Sequence, residues 1–215
     1  MANYKLFYFP GRGTAEAVRL LFAHKEIKYE DIRIAGEEWQ KEKPNMPFGV
    51  MPVLEEDGKK LGGSVIILRY LGEKYGLAGS NAWDNAHLAN ISDFIKDFST
   101  EMYKVHFEKD ETRKQELQKR FTEELIPKFF GKLNELAATT GYLCCGRLTW
   151  PDLQLFCVLD FILKGHPEML SSYPGLASLR KNVEADANMS KWIKERPETE
   201  IDFAHFAAKN KLRLL

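Results

Sequence analysis

Residues 4–13 read YKLFYFPGRG, an aromatic-rich segment that ends in a turn containing two glycines. Aromatic residues favour a strand, and the Pro-Gly-Arg-Gly ending favours a turn. Apolar residues then recur at helical spacing from Ala15 to Phe22, and residues 28–34 carry a second strand pattern. The sequence therefore predicts a β-α-β unit whose two strands are parallel neighbours in one sheet.

The next segment, residues 39–52, has no regular period and contains three prolines. It predicts a long loop that contains one helical turn, and long loops inside compact domains are usually functional. An acidic turn at residues 56–58 separates two short strand patterns and predicts a hairpin. Ser64 is expected to cap the helix that follows.

Strand patterns end after the Gly- and Ser-containing segment 76–80, where we place the domain boundary. Within the second half, the segment Thr149-Trp150-Pro151-Asp152 has the spacing of a capping box, which predicts a structural role for Asp152. Helical patterns lie near residues 84–108, 112–138, 150–164, 175–186 and 189–195.

The composition is that of an ordinary folded protein. The chain has 215 residues, with 31 Lys and Arg against 31 Asp and Glu, so its net charge favours neither nucleic acid nor an anionic membrane. We expect no leader peptide and no transmembrane segment. Three cysteines without a CxxC pair predict reduced, buried thiols in a cytoplasmic protein. The histidines lack a metal-ligand spacing, which predicts no metal.

Three segments, 8–13, 47–54 and 64–71, carry a resemblance to a known family. They read YFPGRG, PFGVMPVL and SVIILRYL, and together they resemble the cytosolic glutathione transferases, in particular the sigma-like class. The resemblance extends to about Pro197. It implies an α/β thioredoxin-like domain over residues 1–78 that binds glutathione, followed by an all-α domain over residues 84–215 that forms the second-substrate pocket.

The resemblance gives Tyr8 the catalytic role of a hydrogen-bond donor to the glutathione sulfur. A thiol with a pKa near ~8.5 is only slightly ionised at neutral pH, and a phenol donor stabilises its thiolate. The thiolate is expected to attack a small hydrophobic electrophile in detoxification, with glutathione as co-substrate and no cofactor. Judged without the resemblance, Tyr8 is more simply interpreted as one of several core aromatics.

The same resemblance assigns the rest of the glutathione site. Met51, before a Pro52 expected in a cis peptide, presents its backbone to the cysteinyl part of glutathione in the manner of an added strand. Ser64 and the helix N-terminus behind it receive the γ-glutamyl carboxylate. In sequence order, the assigned binding residues are Tyr8, Arg12, Trp39, Lys43, Met51, Pro52, Gly63, Ser64 and Asp97.

Simpler interpretations remain open for these residues. Pro52 is compatible with a trans proline that opens a strand. Trp39 and Lys43, assigned to the glycyl end of glutathione, are compatible with a core-covering indole and a solvated lysine. By resemblance, Asp97 reaches the glutathione amino group of the neighbouring subunit, which implies a homodimer. The alternative is an acidic surface neutralised by Lys96.

Two positions depart from the family pattern and give a second hypothesis. Gly63 stands where a glutamine or similar residue usually holds the ligand, and Thr14 replaces an arginine common near the catalytic tyrosine. A weakly active crystallin-like protein or a ligand carrier on the same fold would share these losses. Lys96 and Lys104 stand where prostaglandin D synthases of the sigma class carry an acidic residue and an aromatic wall, which argues against that activity.

The C-terminal segment, residues 200–215, mixes apolar and basic side chains. It predicts either a short helix that covers the second-substrate cleft or a free basic amphipathic tail.

Overall fold

The computed structural model describes residues 2–164 and 167–197. These residues form two compact units, one of residues 2–75 and 187–197 and the other of residues 76–164 and 167–186. The sequence predicted domains at 1–78 and 84–215. The two units differ from these predicted domains most near the C-terminus, where residues 187–197 belong to the first unit. The segment 200–215, for which a helix or a free tail was predicted, lies outside the described residues.

The first unit contains a four-stranded sheet with the strand order β2-β1-β3-β4. The strands are β1 (Tyr4–Tyr8), β2 (Glu30–Arg33), β3 (Val53–Glu56) and β4 (Lys59–Gly62). Two helices of this unit, α1 (Glu16–His24) and α3 (Ser64–Lys74), pack against each other. β1 pairs with β2 in parallel, whereas β3 pairs antiparallel with both β1 and β4. The predicted β-α-β unit, hairpin and thioredoxin-like arrangement are confirmed.

The segment predicted as a long loop contains a longer helix than the single turn expected. α2 (Gly36–Glu42) is followed by two 3₁₀ turns, Lys43–Asn45 and Pro47–Gly49. Trp39 is the one buried side chain of α2. A helix of seven residues with a single buried side chain has no repeating apolar stripe, so periodicity could not reveal it.

The second unit contains helices and no strand among the residues that the structure describes. α4 buries an apolar side chain at every third or fourth position from Leu88 to Val105, as an amphipathic helix requires. The predicted all-helical second half is confirmed, and no helix within residues 2–164 and 167–197 is long and apolar enough to cross a membrane. The helices are α4 (Ala82–Phe107), α5 (Glu111–Arg120), α6 (Ile126–Ala137), α7 (Trp150–Ile162) and α8 (Pro174–Ala185), with a π-helical turn at Phe121–Leu125 and a 3₁₀ segment at Pro167–Ser172.

The start of α7 is fixed by the predicted capping box. The buried carboxylate of Asp152 accepts hydrogen bonds from the Thr149 backbone N–H at 2.7 Å and from the Thr149 hydroxyl at 2.7 Å. It also accepts the backbone N–H of Leu143 at 2.8 Å. Burial raises the pKa of Asp152 to about 6, although these hydrogen bonds act to lower it. The structural role predicted for Asp152 is confirmed.

The last described helix, α9 (Ala187–Glu195), packs against α1 in the first unit. Its inward side includes Met189, which is buried. The first unit is therefore built from the two ends of the described chain, and the helical unit is encoded between them.

Candidate functional site

Tyr8 lies at the C-terminal end of β1, and its side chain is only 4% exposed. After the turn at residues 10–13 the chain returns to the phenol. The backbone N–H of Thr14 donates to Tyr8 Oη at 3.1 Å, and Thr14 Oγ1 lies 3.2 Å from the same oxygen. Because Thr14 is itself exposed, the phenol oxygen lies just beneath the surface, at the 3₁₀ turn Gly13–Ala15 that leads into α1.

Burial raises the pKa of Tyr8, while the two contacts with Thr14 and the positive charge of Arg19 act to lower it. The guanidinium carbon of Arg19 lies 5.9 Å from the centre of the Tyr8 ring, within cation–π range. The phenol is therefore protonated at neutral pH. Thr14, identified in the sequence as the loss of an arginine, supplies two polar contacts in place of that charge.

Arg19 is fully buried, and the sequence did not identify it. Its Nη1 donates to the carbonyl oxygens of Gly11 at 2.9 Å and Arg12 at 3.3 Å, and to Glu16 Oε2 at 3.1 Å. Its Nε and Nη2 both donate to Asp31 Oδ1 at 3.2 Å. A guanidinium suits this position because it carries five donors in one plane. Arg19 thereby fixes the turn that follows β1.

Glu16 joins this arginine to the C-terminal part of the first unit. Its Oε1 accepts hydrogen bonds from the indole N–H of Trp192 at 2.9 Å and from Arg196 Nη1 at 3.1 Å. The buried carboxylate is thus neutralised by two arginines, as a buried charge requires. No local pattern in the sequence reveals this network, because its partners are 176 and 180 residues apart.

Trp39 and Lys43 lie on α2 and at its C-terminal end. Trp39 is 2% exposed, and its ring meets Phe9 edge-on with the ring centres 5.5 Å apart, so it does cover a core. Its indole N–H has no hydrogen-bond partner among the described residues. Lys43 is exposed, and its side chain lies along Gly49, where an added methyl group would stand 3.6 Å from Lys43 Cε.

The Met51-Pro52 peptide bond is cis, as predicted. Within residues 2–164 and 167–197, neither the N–H nor the C=O of Met51 has a hydrogen-bond partner. The carbonyl of Pro52, in contrast, accepts the N–H of Gly63 at 3.0 Å. Met51 therefore offers one backbone donor and one acceptor immediately before β3, which is what an added extended peptide needs.

The prediction that Ser64 caps α3 is wrong. Gly63 occupies the cap position with φ 98° and ψ 124°, and Ser64 is the first helical residue, with no capping hydrogen bond from a side chain. The positive φ explains the shift, because glycine adopts it without strain. The hydroxyl of Ser64 has no partner in the described part of the chain, and the first N–H groups of α3 have no intrahelical acceptor.

Eight of the nine predicted binding residues lie in the first unit, and Asp97 lies in the second. Arg12 is half-buried on the turn that Arg19 holds. Asp97 is exposed on α4 and forms no ion pair with any described residue.

No set of three or more potential metal ligands occurs in the described part of the chain. The cysteines, predicted as buried, differ from one another. Cys145 is exposed, whereas Cys144 and Cys157 are half-buried. The prediction of buried thiols is therefore wrong for Cys145 and only partly met by Cys144 and Cys157.

Comparison with known proteins accounts for both units. The family model of the glutathione S-transferase N-terminal domain matches residues 2–73, and that of the glutathione S-transferase C-terminal domain matches residues 96–196. The chain belongs to the glutathione S-transferase family. The transferase is 35% identical over 203 residues to a glutathione S-transferase of Anopheles gambiae, a match that covers 94% of this chain and 100% of the mosquito protein.

Other relatives of the transferase carry different names. It is 35% identical over 205 residues to the hematopoietic prostaglandin D synthase of Homo sapiens, with 94% of this chain and 100% of the human protein covered. The structure of a Nu-class glutathione transferase from Haemonchus contortus is similar with a TM-score of 0.85 and 37% identity, covering 94% of this chain and 100% of that one. These matches show the glutathione S-transferase family and leave the sigma-like class a prediction. The predicted enzyme class is confirmed.

Proposed function

We propose that this protein is a sigma-like transferase that activates the thiol of glutathione through Tyr8. The thiolate then attacks small hydrophobic electrophiles, a detoxification reaction that takes place in the cytoplasm. One observation carries the proposal. The Tyr8 hydroxyl lies just beneath the surface, and the N–H of Thr14 occupies one of its acceptor sites at 3.1 Å.

Thr14 directs the phenol proton toward a ligand. A backbone N–H can only donate, so it uses one acceptor site of the phenol oxygen. When the Thr14 hydroxyl also donates across its 3.2 Å contact, the second site is used and Tyr8 must donate its own proton elsewhere. A glutathione sulfur placed beside the exposed Thr14 receives that hydrogen bond.

This hydrogen bond is strong enough to matter. A bond to a charged group contributes about 1.5–3 kcal/mol, which lowers the pKa of the thiol by about 1–2 units. At neutral pH the ionised fraction then rises from a few per cent to about half. The thiol proton leaves to solvent, the sulfur bonds to the electrophilic carbon, and the leaving group departs with its electron pair.

The other glutathione contacts are assigned to polar groups of the first unit. The N–H and C=O of Met51, next to Pro52, pair with the cysteinyl backbone. The hydroxyl of Ser64 and the N–H groups after Gly63 receive the γ-glutamyl carboxylate.

The glycyl carboxylate is assigned to the indole N–H of Trp39 and the ammonium of Lys43, a donor and a cation suited to an anion. Arg12 adds a positive charge beside the turn. The electrophile is assigned to the helical second unit, which follows the family resemblance.

We further propose that the active form is a homodimer in which Asp97 contacts the glutathione amino group of the neighbouring subunit. Asp97 is exposed and has no ion pair among the described residues.

An exposed aromatic ring on the first unit also supports association. Phe48 is 93% exposed at φ 56° in the turn Pro47–Gly49. Covering such a ring is worth about 2 kcal/mol, which favours association.

Prostaglandin D synthase activity is not assigned to this chain, although relatives carry that name. Lys96 and Lys104 occupy the two positions on α4 where the resemblance requires an acidic residue and an aromatic wall. Both lysines are exposed, and Lys104 pairs with Glu101. The site therefore supports conjugation of electrophiles in general.

The test is an ultraviolet titration of the glutathione thiolate bound to the wild-type protein and to Tyr8→Phe, followed by conjugation of an aromatic halide. We expect the wild type to lower the thiol pKa by about 1–2 units, and the variant to lose this shift together with about 10–100-fold in kcat/KM. Tyr4→Phe is the matched control, because Tyr4 lies on the same buried face of β1 but bonds Glu56 and Tyr75.

Three outcomes are separable. A shift that is lost only in Tyr8→Phe supports the proposal. Saturable binding with an unchanged thiol pKa supports instead a carrier or crystallin-like protein. Absence of glutathione binding contradicts the assigned site.

A further inference from the structure

The loop between α6 and α7 brings two thiols together. The sulfur atoms of Cys144 and Cys145 lie 3.2 Å apart, and Cys145 is exposed. Consecutive side chains of an extended chain point to opposite sides, so this contact requires an unusual backbone. Cys145 provides it with φ 60°, in the left-handed region that residues other than glycine rarely adopt.

The loop that holds these thiols is fixed on both sides. The N–H of Leu143 donates to the buried carboxylate of Asp152 at 2.8 Å. The guanidinium of Arg147 donates to the carbonyl oxygens of Gly76, at 3.0 Å, and of Ala78. A left-handed residue that is not glycine persists only where its surroundings hold it. The cysteine pair is therefore preorganised as a unit.

We propose that Cys144 and Cys145 form a bidentate dithiol site for trivalent arsenicals. Trivalent arsenic is soft, and thiolates are the soft ligands of proteins. If each sulfur lies about 2.3 Å from a shared atom, as in a zinc–thiolate bond, the sulfur separation of 3.2 Å gives an angle of about 90° at that atom. This angle suits a pyramidal trivalent centre, whose bonds are nearly perpendicular.

Two other uses of the pair fit the geometry less well. Tetrahedral zinc requires four ligands at about 109°, and no third potential ligand joins the pair within residues 2–164 and 167–197. A disulfide usually requires Cα atoms at least about 4.4 Å apart, whereas consecutive Cα atoms are only about 3.8 Å apart. Insertion of a bridging atom removes that constraint.

Binding exchanges oxygen for sulfur at arsenic without a change of oxidation state. With an organic arsenic oxide, two S–H bonds and the arsenic–oxygen double bond break, and two arsenic–sulfur bonds form. The oxygen leaves as water with both thiol protons. The exposed Cys145 reacts first. Burial and the contact with Cys145 raise the pKa of Cys144 to about 12, so Cys144 closes the ring in the second, slower step.

The experiment uses phenylarsine oxide titrated into the full-length protein, with intact mass and free-thiol content as readouts. We expect one equivalent to consume two of the three thiols. Cys144→Ser and Cys145→Ser are each expected to weaken binding at least about 100-fold, because the second bond forms at a high effective concentration. Excess glutathione, a monothiol, should leave the adduct intact, and a small dithiol should remove it. Cys157→Ser is the control that keeps wild-type affinity.

The proposal is overturned if either single variant keeps wild-type affinity or if the adduct consumes Cys157. It is also overturned if the two cysteines do not bind phenylarsine oxide and are instead oxidised to a disulfide by glutathione disulfide. Cys145→Gly is a second variant for the case in which Cys145→Ser does not fold, since glycine adopts φ 60° without strain.

Discussion

The substitution Gly63→Gln tests the glutathione site sharply. An added side chain should strain the backbone and lower stability, whereas its amide should strengthen glutathione binding. At φ 98°, a residue with a Cβ is strained, and its closest contact would be Ile66 Cγ1 at 3.7 Å. The penalty is therefore conformational rather than steric. Such strain costs about 1–3 kcal/mol, of which about 0.4–1 kcal/mol is offset by the reduced freedom of the unfolded chain. We expect Gly63→Gln and Gly63→Ala both to lower the free energy of unfolding by about 1–2 kcal/mol.

The glutamine amide should improve glutathione binding despite this loss of stability. A hydrogen bond to a charged group contributes about 1.5–3 kcal/mol, so the dissociation constant of Gly63→Gln for glutathione should be about 10–100-fold lower than that of Gly63→Ala. Urea unfolding measures the stability, and isothermal titration calorimetry measures the binding. Gly63→Ala carries the same strain without the amide, so the difference between the two variants isolates the amide.

Two results would refute this reasoning separately. If Gly63→Ala is as stable as the wild type, position 63 is not strained by a Cβ. If Gly63→Gln binds glutathione no more tightly than Gly63→Ala, position 63 does not contact the γ-glutamyl end.

Three further predictions concern other parts of the molecule. Thr14→Val keeps the backbone N–H but loses the hydroxyl, so it should raise the thiol pKa of bound glutathione by about 0.5–1 unit in the thiolate titration. Thr14→Ser, which keeps a hydroxyl, should leave this pKa unchanged. Asp152→Asn should lower the free energy of unfolding at pH 7 by about 2 kcal/mol, because a buried N–H loses its acceptor. Since folding raises the pKa of Asp152 from 3.8 to about 6, the folded state favours the protonated acid, and wild-type stability should fall as the pH rises between these values. Urea unfolding at several pH values should show this slope in the wild type and not in Asp152→Asn. Phe48→Ser should shift the protein toward monomers in sedimentation velocity, whereas Phe161→Ser, which removes another exposed ring, should not; equal behaviour of these two variants would contradict the dimer contact.

The sequence predicted the elements that have a repeating pattern or a strong local signal. β1 follows from its aromatic residues and the turn after it, and α7 from its capping box, because both signals lie within a few residues. The parallel pairing of β1 with β2 followed from the β-α-β pattern. The long helix α4 was predicted to within two residues at each end, since its buried positions recur every third or fourth residue.

The parts that the sequence missed depend on backbone angles or on distant partners. The sequence predicts a loop where α2 lies, because Trp39 is the one buried residue of this helix. The cap of α3 was misplaced by one residue, because the positive φ of Gly63 is a property of the folded chain. The role of Arg19 could not be inferred, since carbonyl groups on a turn and a carboxylate on α1 surround it only after folding.

The bond between Glu16 and Trp192 has a consequence for the order in which the newly made chain matures. The ribosome releases the sheet, α1 and then the entire helical unit before Trp192 exists, although domains made during synthesis generally fold from the N-terminus onward. Until that point Glu16 lacks the hydrogen bond from the Trp192 indole and the ion pair with Arg196, and it has only the ion pair with Arg19. A nascent chain that stops before Ala187 should therefore be open to proteases in its first 75 residues while its helical unit already resists them. Residues 2–75 are then made before the helical unit but reach their final packing after it.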